Sequence, residues 1–147
     1  MEPSLEQTLK EKNVRPTAVR LMVLRSMRDA DCAVSLSDLE SMLDTVDRST
    51  IFRSLTTFVD SHIAHAVNDG SGQIKYALCP PTCHCHEDDN PDFNDLHAHF
   101  YCVVCHKTFC LRSMPVPFPT LDPGFKIQSA SYILSGLCPK CSSRSRK

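Results

Sequence analysis

Cys102-Val103-Val104-Cys105 is answered further along the chain by Cys138-Pro139-Lys140-Cys141, and the reading of this repeated spacing decides the rest. Two residues between cysteines let a tight turn aim both sulfurs at one point, and two such pairs complete a tetrahedron around Zn2+ with no open position. Such a site is structural. Two disulfides or four uncoordinated thiols are the alternatives, and they suit an oxidising compartment. Here Met1 is followed by Glu2 with no basic start leading into an apolar run, so a cytoplasmic protein with metal-bound thiolates is expected.

Around the two pairs, residues 100–104 and 107–111 read as strands. Pro115, Pro117, Pro119 and Pro123 make a helix improbable in the next stretch. Residues 125–134 return to strand character and deliver Cys138, so this region is expected to be a small sheet closed by zinc. Before it, residues 79–96 are poor in apolar side chains, contain Pro80, Pro81 and Pro91, and include the run Cys83-His84-Cys85-His86. That segment reads as a hinge carrying further metal ligands whose role the sequence leaves open.

The N-terminal half has helical periodicity. Residues 4–12 form a first short helix; Arg15-Pro16-Thr17 breaks it and caps a second that runs to about residue 28, with Ala18, Leu21, Met22 and Leu24 apolar and Arg20 and Arg25 available to solvent. A third is expected near Ser37, where Ser37-Asp38-Leu39-Glu40 has capping-box spacing and Leu36, Leu39, Met42 and Leu43 supply a buried side. The fourth, residues 49–60, places Ile51, Leu55, Phe58 and Val59 on one stripe and Ser49, Arg53, Thr56 and Thr57 on the other. Small hydroxyls beside an arginine suit a helix entering a DNA major groove, although a solvated polar face is the commoner reason for such a stripe. Two β-rich runs, 62–67 and 73–78, follow around Asn68-Asp69-Gly70-Ser71-Gly72, a hairpin turn. Short helices followed by a small hairpin describe a winged helix-turn-helix.

Totals set outer limits. A chain of 147 residues with 41% hydrophobic residues can bury a core, and no stretch reaches the ~18 apolar residues of a membrane span. Nine cysteines and seven histidines favour metal ligation. The formal net charge of −1 conceals a cluster of Glu87, Asp88, Asp89, Asp92 and Asp95 and a basic group of Arg144, Arg146 and Lys147. A nucleic-acid partner would therefore be met through a local face.

Three stretches carry a resemblance over nearly the whole chain. Arg15-Pro16-Thr17-Ala18-Val19-Arg20, Asp47-Arg48-Ser49-Thr50-Ile51-Phe52-Arg53 and His97-Ala98-His99-Phe100-Tyr101-Cys102-Val103-Val104-Cys105 resemble, in order, the approach to the second helix, the recognition-helix signature and the histidine-rich lead to the first cysteine pair in the ferric-uptake-regulator superfamily of metal-dependent repressors. The likeness is greatest to its zinc-uptake-regulator branch. It implies an α+β chain: a winged helix-turn-helix DNA-binding domain at 1–78, a hinge at 79–96 and a small α/β dimerisation domain at 97–147 closed by the four-cysteine zinc. A homodimer would bind double-stranded operator DNA, with Arg15, Arg20, Ser49, Thr50, Phe52, Arg53, Thr56 and Thr57 as the contacting residues. Phe52 departs from the family's usual tyrosine, and the proline run stands where relatives carry a helix.

The resemblance also implies a second, regulatory metal, with His65, Cys79, His97, His99 and Cys110 at the ligand positions. Nitrogen and sulfur donors favour Zn2+, and Cys110, where relatives often place glutamate, strengthens that preference. His97 and His99 point to the same side of an extended segment. Leu96 and Ala98 cannot bind metal, so no third site of the family type is expected. An ion held from both domains would fix the spacing of the recognition helices, giving a zinc-activated repressor of metal-uptake genes that needs neither membrane nor small-molecule substrate. The rivals are an iron- or peroxide-responsive repressor and, from another class, a cysteine-rich redox or metal-storage protein, in which Cys32 would also count. Catalysis is not expected, because a zinc hydrolase needs an open coordination position and an HExxH or HxE motif, and the chain has neither.

Overall fold

Ser4 caps α1 (Leu5–Glu11) by accepting the amide of Gln7 on its hydroxyl. The structure, a computed structural model, describes residues 3–30, 32–79, 98–111, 114, 120–127 and 132–144. After Asn13, at a positive φ of 60°, the chain turns through Pro16 into α2 (Ala18–Ala30), where Thr17 accepts the amide of Arg20 at 3.3 Å. Val23, Leu24 and Met27 are the buried residues of α2. The expected apolar face is thus rotated: Leu24 is buried and Leu21 half-buried, but Ala18 and Met22 are exposed. Packing against α4 selects the Val23–Leu24–Met27 stripe, and apolarity alone could not choose between adjacent stripes.

β1 (Val34–Ser35) leads directly into α3 (Leu36–Met42). A capping box is present here but two residues earlier than the sequence spacing suggests. Ser35 accepts the amide of Asp38, and the Asp38 carboxylate accepts the amide of Ser35, both at 3.0 Å. Glu40 is consequently released to pair with Arg48 at 2.7 Å, a half-exposed bridge between α3 and α4. Leu39 and Leu43 are buried while Met42 is exposed. α4 (Arg48–Asp60) is capped by Asp47 and buries Ile51, Ser54, Leu55 and Phe58. With Leu9, Leu24 and Leu39, the apolar side chains Ile51, Leu55 and Phe58 are the centre of the larger core. Each contributes roughly 1.5–3 kcal/mol by burial.

β2 (Ala64–Asn68) and β3 (Ile74–Leu78) form the expected hairpin, and β1 adds to β3, giving the antiparallel order β1-β3-β2. Gly70 and Gly72 take positive φ in the connecting turn. The second sheet contains β4 (Ala98–Cys102), β5 (Thr108–Leu111) and β6 (Tyr132–Gly136), in the order β5-β4-β6 with β4 antiparallel to β5 and parallel to β6. The last strand starts later than expected: residues 120–127 carry no strand, and Phe125 is 71% exposed. A short helix, α5 (Pro139–Arg144), begins on Pro139, whose fixed φ suits the first helical position. Around the cysteine pairs the buried cluster is Cys102, Cys138 and Cys141 with Phe109 beside them, so the thiols stand where a larger chain would place aliphatic groups. Among the described residues no helix is long and apolar enough to cross a membrane.

Candidate metal centres and nucleic-acid face

Four short elements converge on the paired cysteines. Cys102 ends β4, Cys105 lies in the turn to β5, Cys138 follows β6, and Cys141 sits in α5. Their sulfurs all lie within 4.8 Å of one another. Cys105 Sγ and Cys138 Sγ are 3.8 Å apart, too far for a disulfide and equal to the ~3.8 Å edge of a sulfur tetrahedron with Zn–S bonds of ~2.3 Å. The backbone amide of Cys138 donates to Cys102 Sγ at 3.4 Å. Backbone amides, first that of Cys105 and then that of Cys138, draw the Cys102 thiol down to about 6, and the Cys141 amide lowers Cys138. Burial, followed by the neighbouring thiols, pushes Cys141 up to about 12. A cation held among the four sulfurs would offset the burial and thiol crowding that oppose ionisation of Cys141. This donor set fits Zn2+.

A second cluster forms where the two sheets face each other. His65 pairs with Ala77 and Val67 with Lys75 across the hairpin, so these four side chains share one face of the first sheet. On the second sheet His99 pairs with Cys110 and Tyr101 with Thr108, and these four share the opposing face. His65, His99 and Cys110 come together with donor atoms within 4.8 Å of one another, and the two imidazole centroids are 5.8 Å apart. Cys79 Sγ lies 3.4 Å from His65 Nδ1, held there by its own amide donating to the Ile63 carbonyl at 2.8 Å. Two nitrogens and one sulfur therefore meet at one corner of the sheet-to-sheet contact, with the Cys79 sulfur at its His65 end. These donors suit a soft-to-borderline ion, and the group contains no carboxylate. His97, expected beside His99, and the run Cys83-His84-Cys85-His86 lie outside the described residues.

Beyond this corner the contact is apolar and then ionic. Ala33, Val67 and Ala77 are buried against Cys110 and Ile133. Past them, Lys75 Nζ pairs with Asp69 at 3.1 Å, donates to Thr108 Oγ1 at 2.9 Å and to the His106 carbonyl, and lies 4.8 Å from the Tyr101 ring centroid. The Thr108 hydroxyl donates to Asp69, which also accepts the Ser71 amide at 2.9 Å. Burial raises the Asp69 carboxyl, but hydrogen bonds from Ser71, Thr108 and Lys75 outweigh it and hold the group at about 2. Sequence reading missed this group. In Ile74-Lys75-Tyr76-Ala77-Leu78 the alternation suggests lysine outward, whereas Lys75 is 3% and Ile74 46% exposed. Both faces of the sheet are covered, so the usual assignment by polarity fails; the one available signal is that Lys75 shares its face with Ala77.

The exposed face of α4 carries Ser49, Phe52, Arg53 and Thr56, with Thr50 and Thr57 half-buried. Asp47 accepts from the Ser49 and Thr50 hydroxyls; these bonds, Ser49 first, lower its carboxyl to about 2. Thr56 and Thr57 donate back to the Phe52 and Arg53 carbonyls at 3.0 Å, so their hydroxyl protons serve the helix. Arg20 is half-buried and donates to the Arg15 carbonyl at 3.0 Å, closing the turn before α2, while Arg15 is exposed. Arg53 is an exposed cation on this face of α4.

No protein-family model matches the chain. Solved structures do. A zinc uptake regulator complexed with zinc and DNA is 24% identical, with a TM-score of 0.61 over 97% of this chain and 93% of that one. The Vibrio cholerae ferric uptake regulator is 18% identical, with a TM-score of 0.59 over 90% and 98%. A zinc-bound manganese uptake regulator is 16% identical, with a TM-score of 0.62 over 92% and 99%. At these identities the likeness is one of fold, and it runs through nearly the whole chain.

Proposed function

We propose, for a chain that carries the fold of the ferric and zinc uptake regulators, that it is a zinc-activated repressor that binds operator DNA as a homodimer in the cytoplasm and controls metal-uptake genes. The reading divides the chain into a DNA-binding domain at 1–78, a hinge at 79–96 and a dimerisation domain at 97–147. Cys102, Cys105, Cys138 and Cys141 would hold a structural Zn2+. His65, Cys79, His99 and Cys110 would hold the regulatory one, with His97 as a further candidate ligand. A bound dication supplies the positive charge that lets clustered thiolates ionise together.

The observation that carries the proposal is the meeting of His65 from the hairpin with His99 and Cys110 from the second sheet. Side chains from two separately packed units can be satisfied at one point in only a narrow range of mutual orientations. Fixing that orientation fixes where α4 stands. In a two-fold dimer the two recognition helices must lie about one DNA turn apart, ~34 Å, to reach successive major grooves. Occupancy of the second site is then coupled to DNA affinity, typically by 1–3 kcal/mol, and DNA tightens metal binding by the same factor. Arg53 would read bases, while Arg15, Ser49, Thr50, Phe52, Thr56 and Thr57 line the approach and Arg20 braces Arg15.

The test is a DNA-binding titration at buffered free Zn2+, Fe2+ and Mn2+. Zinc should activate at the lowest free concentration. Activation by Fe2+ with no response to Zn2+ would replace this reading with an iron sensor, and metal-independent DNA affinity would remove the switch altogether.

A further inference from the structure

Thr108 is fully buried, and both of its hydrogen-bonding ends reach across to the first unit. Its carbonyl accepts the Ala33 amide at 2.8 Å. Its hydroxyl donates to Asp69 and accepts from Lys75 at 2.9 Å. Lys75 also reaches the His106 carbonyl, in the turn that presents Cys105, so the ionic group ties the wing hairpin to the cysteine knuckle itself. Lys75 and Asp69 side chains are 4% and 0% exposed. A buried ion pair recovers little net stability after desolvation, but it tolerates few geometries, so its effect is on orientation. Thr108 precedes Cys110 by two residues and Lys75 precedes Ala77, the cross-strand partner of His65, by two. The ionic group and the His65–His99–Cys110 cluster are therefore neighbouring rungs of one sheet-to-sheet contact, about 7 Å apart along the strands.

We infer that Lys75, Asp69 and Thr108 are positioning residues: a latch that closes the first sheet onto the second without metal and so sets in advance the spacing at which His65 meets His99 and Cys110. The inference rests on the proposal that those three residues bind the regulatory ion. A site whose ligands come from two units loses affinity by the fraction of time the units are apart, and a latch removes that loss. The metal then consolidates an arrangement the chain already holds.

The full-length protein, with zinc retained by its four cysteines, provides the test. Thr108→Val removes the hydroxyl at constant volume; the double variant Lys75→Met/Asp69→Asn removes both charges together, leaves no buried charge unpaired, and keeps an acceptor for the Ser71 amide. Thr108→Ser is the control that keeps the hydroxyl. Two quantities are read: zinc affinity of the second site by competition with a chelator, and hydrogen exchange of the Ala33 amide, which bridges the units. Both variants should weaken second-site zinc binding by about ten-fold and speed exchange at Ala33, with exchange within α4 unchanged and Thr108→Ser like wild type. Unchanged Ala33 exchange in either folded variant overturns the latch. Faster Ala33 exchange with unchanged zinc affinity overturns its role in setting the site. If wild type itself takes up a single zinc, the regulatory-site reading has failed, and so has the site-setting role; Ala33 exchange then decides whether the latch joins the two sheets at all.

Discussion

His65 Nδ1 and Cys79 Sγ are 3.4 Å apart, so the first strand of the hairpin and the residue leaving its second strand would supply half of the proposed regulatory site before the other sheet contributes. Cys79→Ser replaces a soft thiolate by a hydroxyl and leaves α4 intact. Zinc should bind the second site at least about ten-fold more weakly, and DNA occupancy should require correspondingly more free zinc. A chelator-buffered titration read by both zinc uptake and DNA binding checks this; wild-type zinc dependence would exclude Cys79 from the site.

The two clusters should respond differently to loss of one ligand. Cys138→Ser opens the knuckle around which the C-terminal half packs, and should unfold that half with loss of both metals. His99→Ala touches only the cluster between the sheets and should lower zinc content from about two ions per chain to about one, with the fold retained. Elemental analysis beside circular dichroism measures both. A folded, metal-free Cys138→Ser protein would contradict the structural role.

Arg53→Ala should weaken operator binding by about 1–3 kcal/mol if the guanidinium reads a base, and by less, with a shallower salt dependence, if it meets a phosphate. Zinc binding in the absence of DNA should not change. Binding isotherms at several salt concentrations separate the two modes, and unaltered affinity at every salt removes Arg53 from the reading surface.

Asp47 links pH to the start of α4. Its carboxyl stands at about 2, below the usual 3.8, because the Ser49 and Thr50 hydroxyls donate to it. A depressed carboxyl stabilises the fold fully above its unfolded value, and the contribution fades as pH falls from about 4 through about 2. Asp47→Ala should therefore lower the melting temperature at neutral pH and leave the variant's stability less sensitive than wild type's to acid below pH 4. Parallel pH-dependent melts of the two proteins would refute the cap.

Legibility in the sequence followed how local each determinant is. Ile51, Leu55 and Phe58 repeat at helical spacing and also pack inward, so α4 was readable to within a residue. Asn68 to Gly72 turn the hairpin by their own backbone preferences, and that too was readable. The capping box cannot be placed from sequence, because Ser35 and Ser37 are each followed three residues on by an acid, and only the pairing of β1 decides between them. The start of β6 was placed too early because Phe125 and Ile127 are apolar but have no strand partner, pairing being a property of β4 and not of the segment. His65, His99 and Cys110 were found through resemblance; their meeting is a matter of two sheets facing each other, as is the burial of Lys75. A single sequence does not encode such long-range facing in any local pattern.

The parallel register that sets Cys102 beside Gly136 also dictates an order of assembly. β4 and β5 are joined by a short turn and can pair as soon as both exist, which presents Cys102 and Cys105 as an open dithiol. β6 must return across a long connection, and the entropy of closing that loop makes it the later partner. In any molecule that pairs β4 with β5 before β6 returns, half of the knuckle would be formed and exposed. A competing thiophilic ion or an oxidant would then meet two unprotected sulfurs, and the yield of correctly folded chain is expected to follow the rate of zinc delivery.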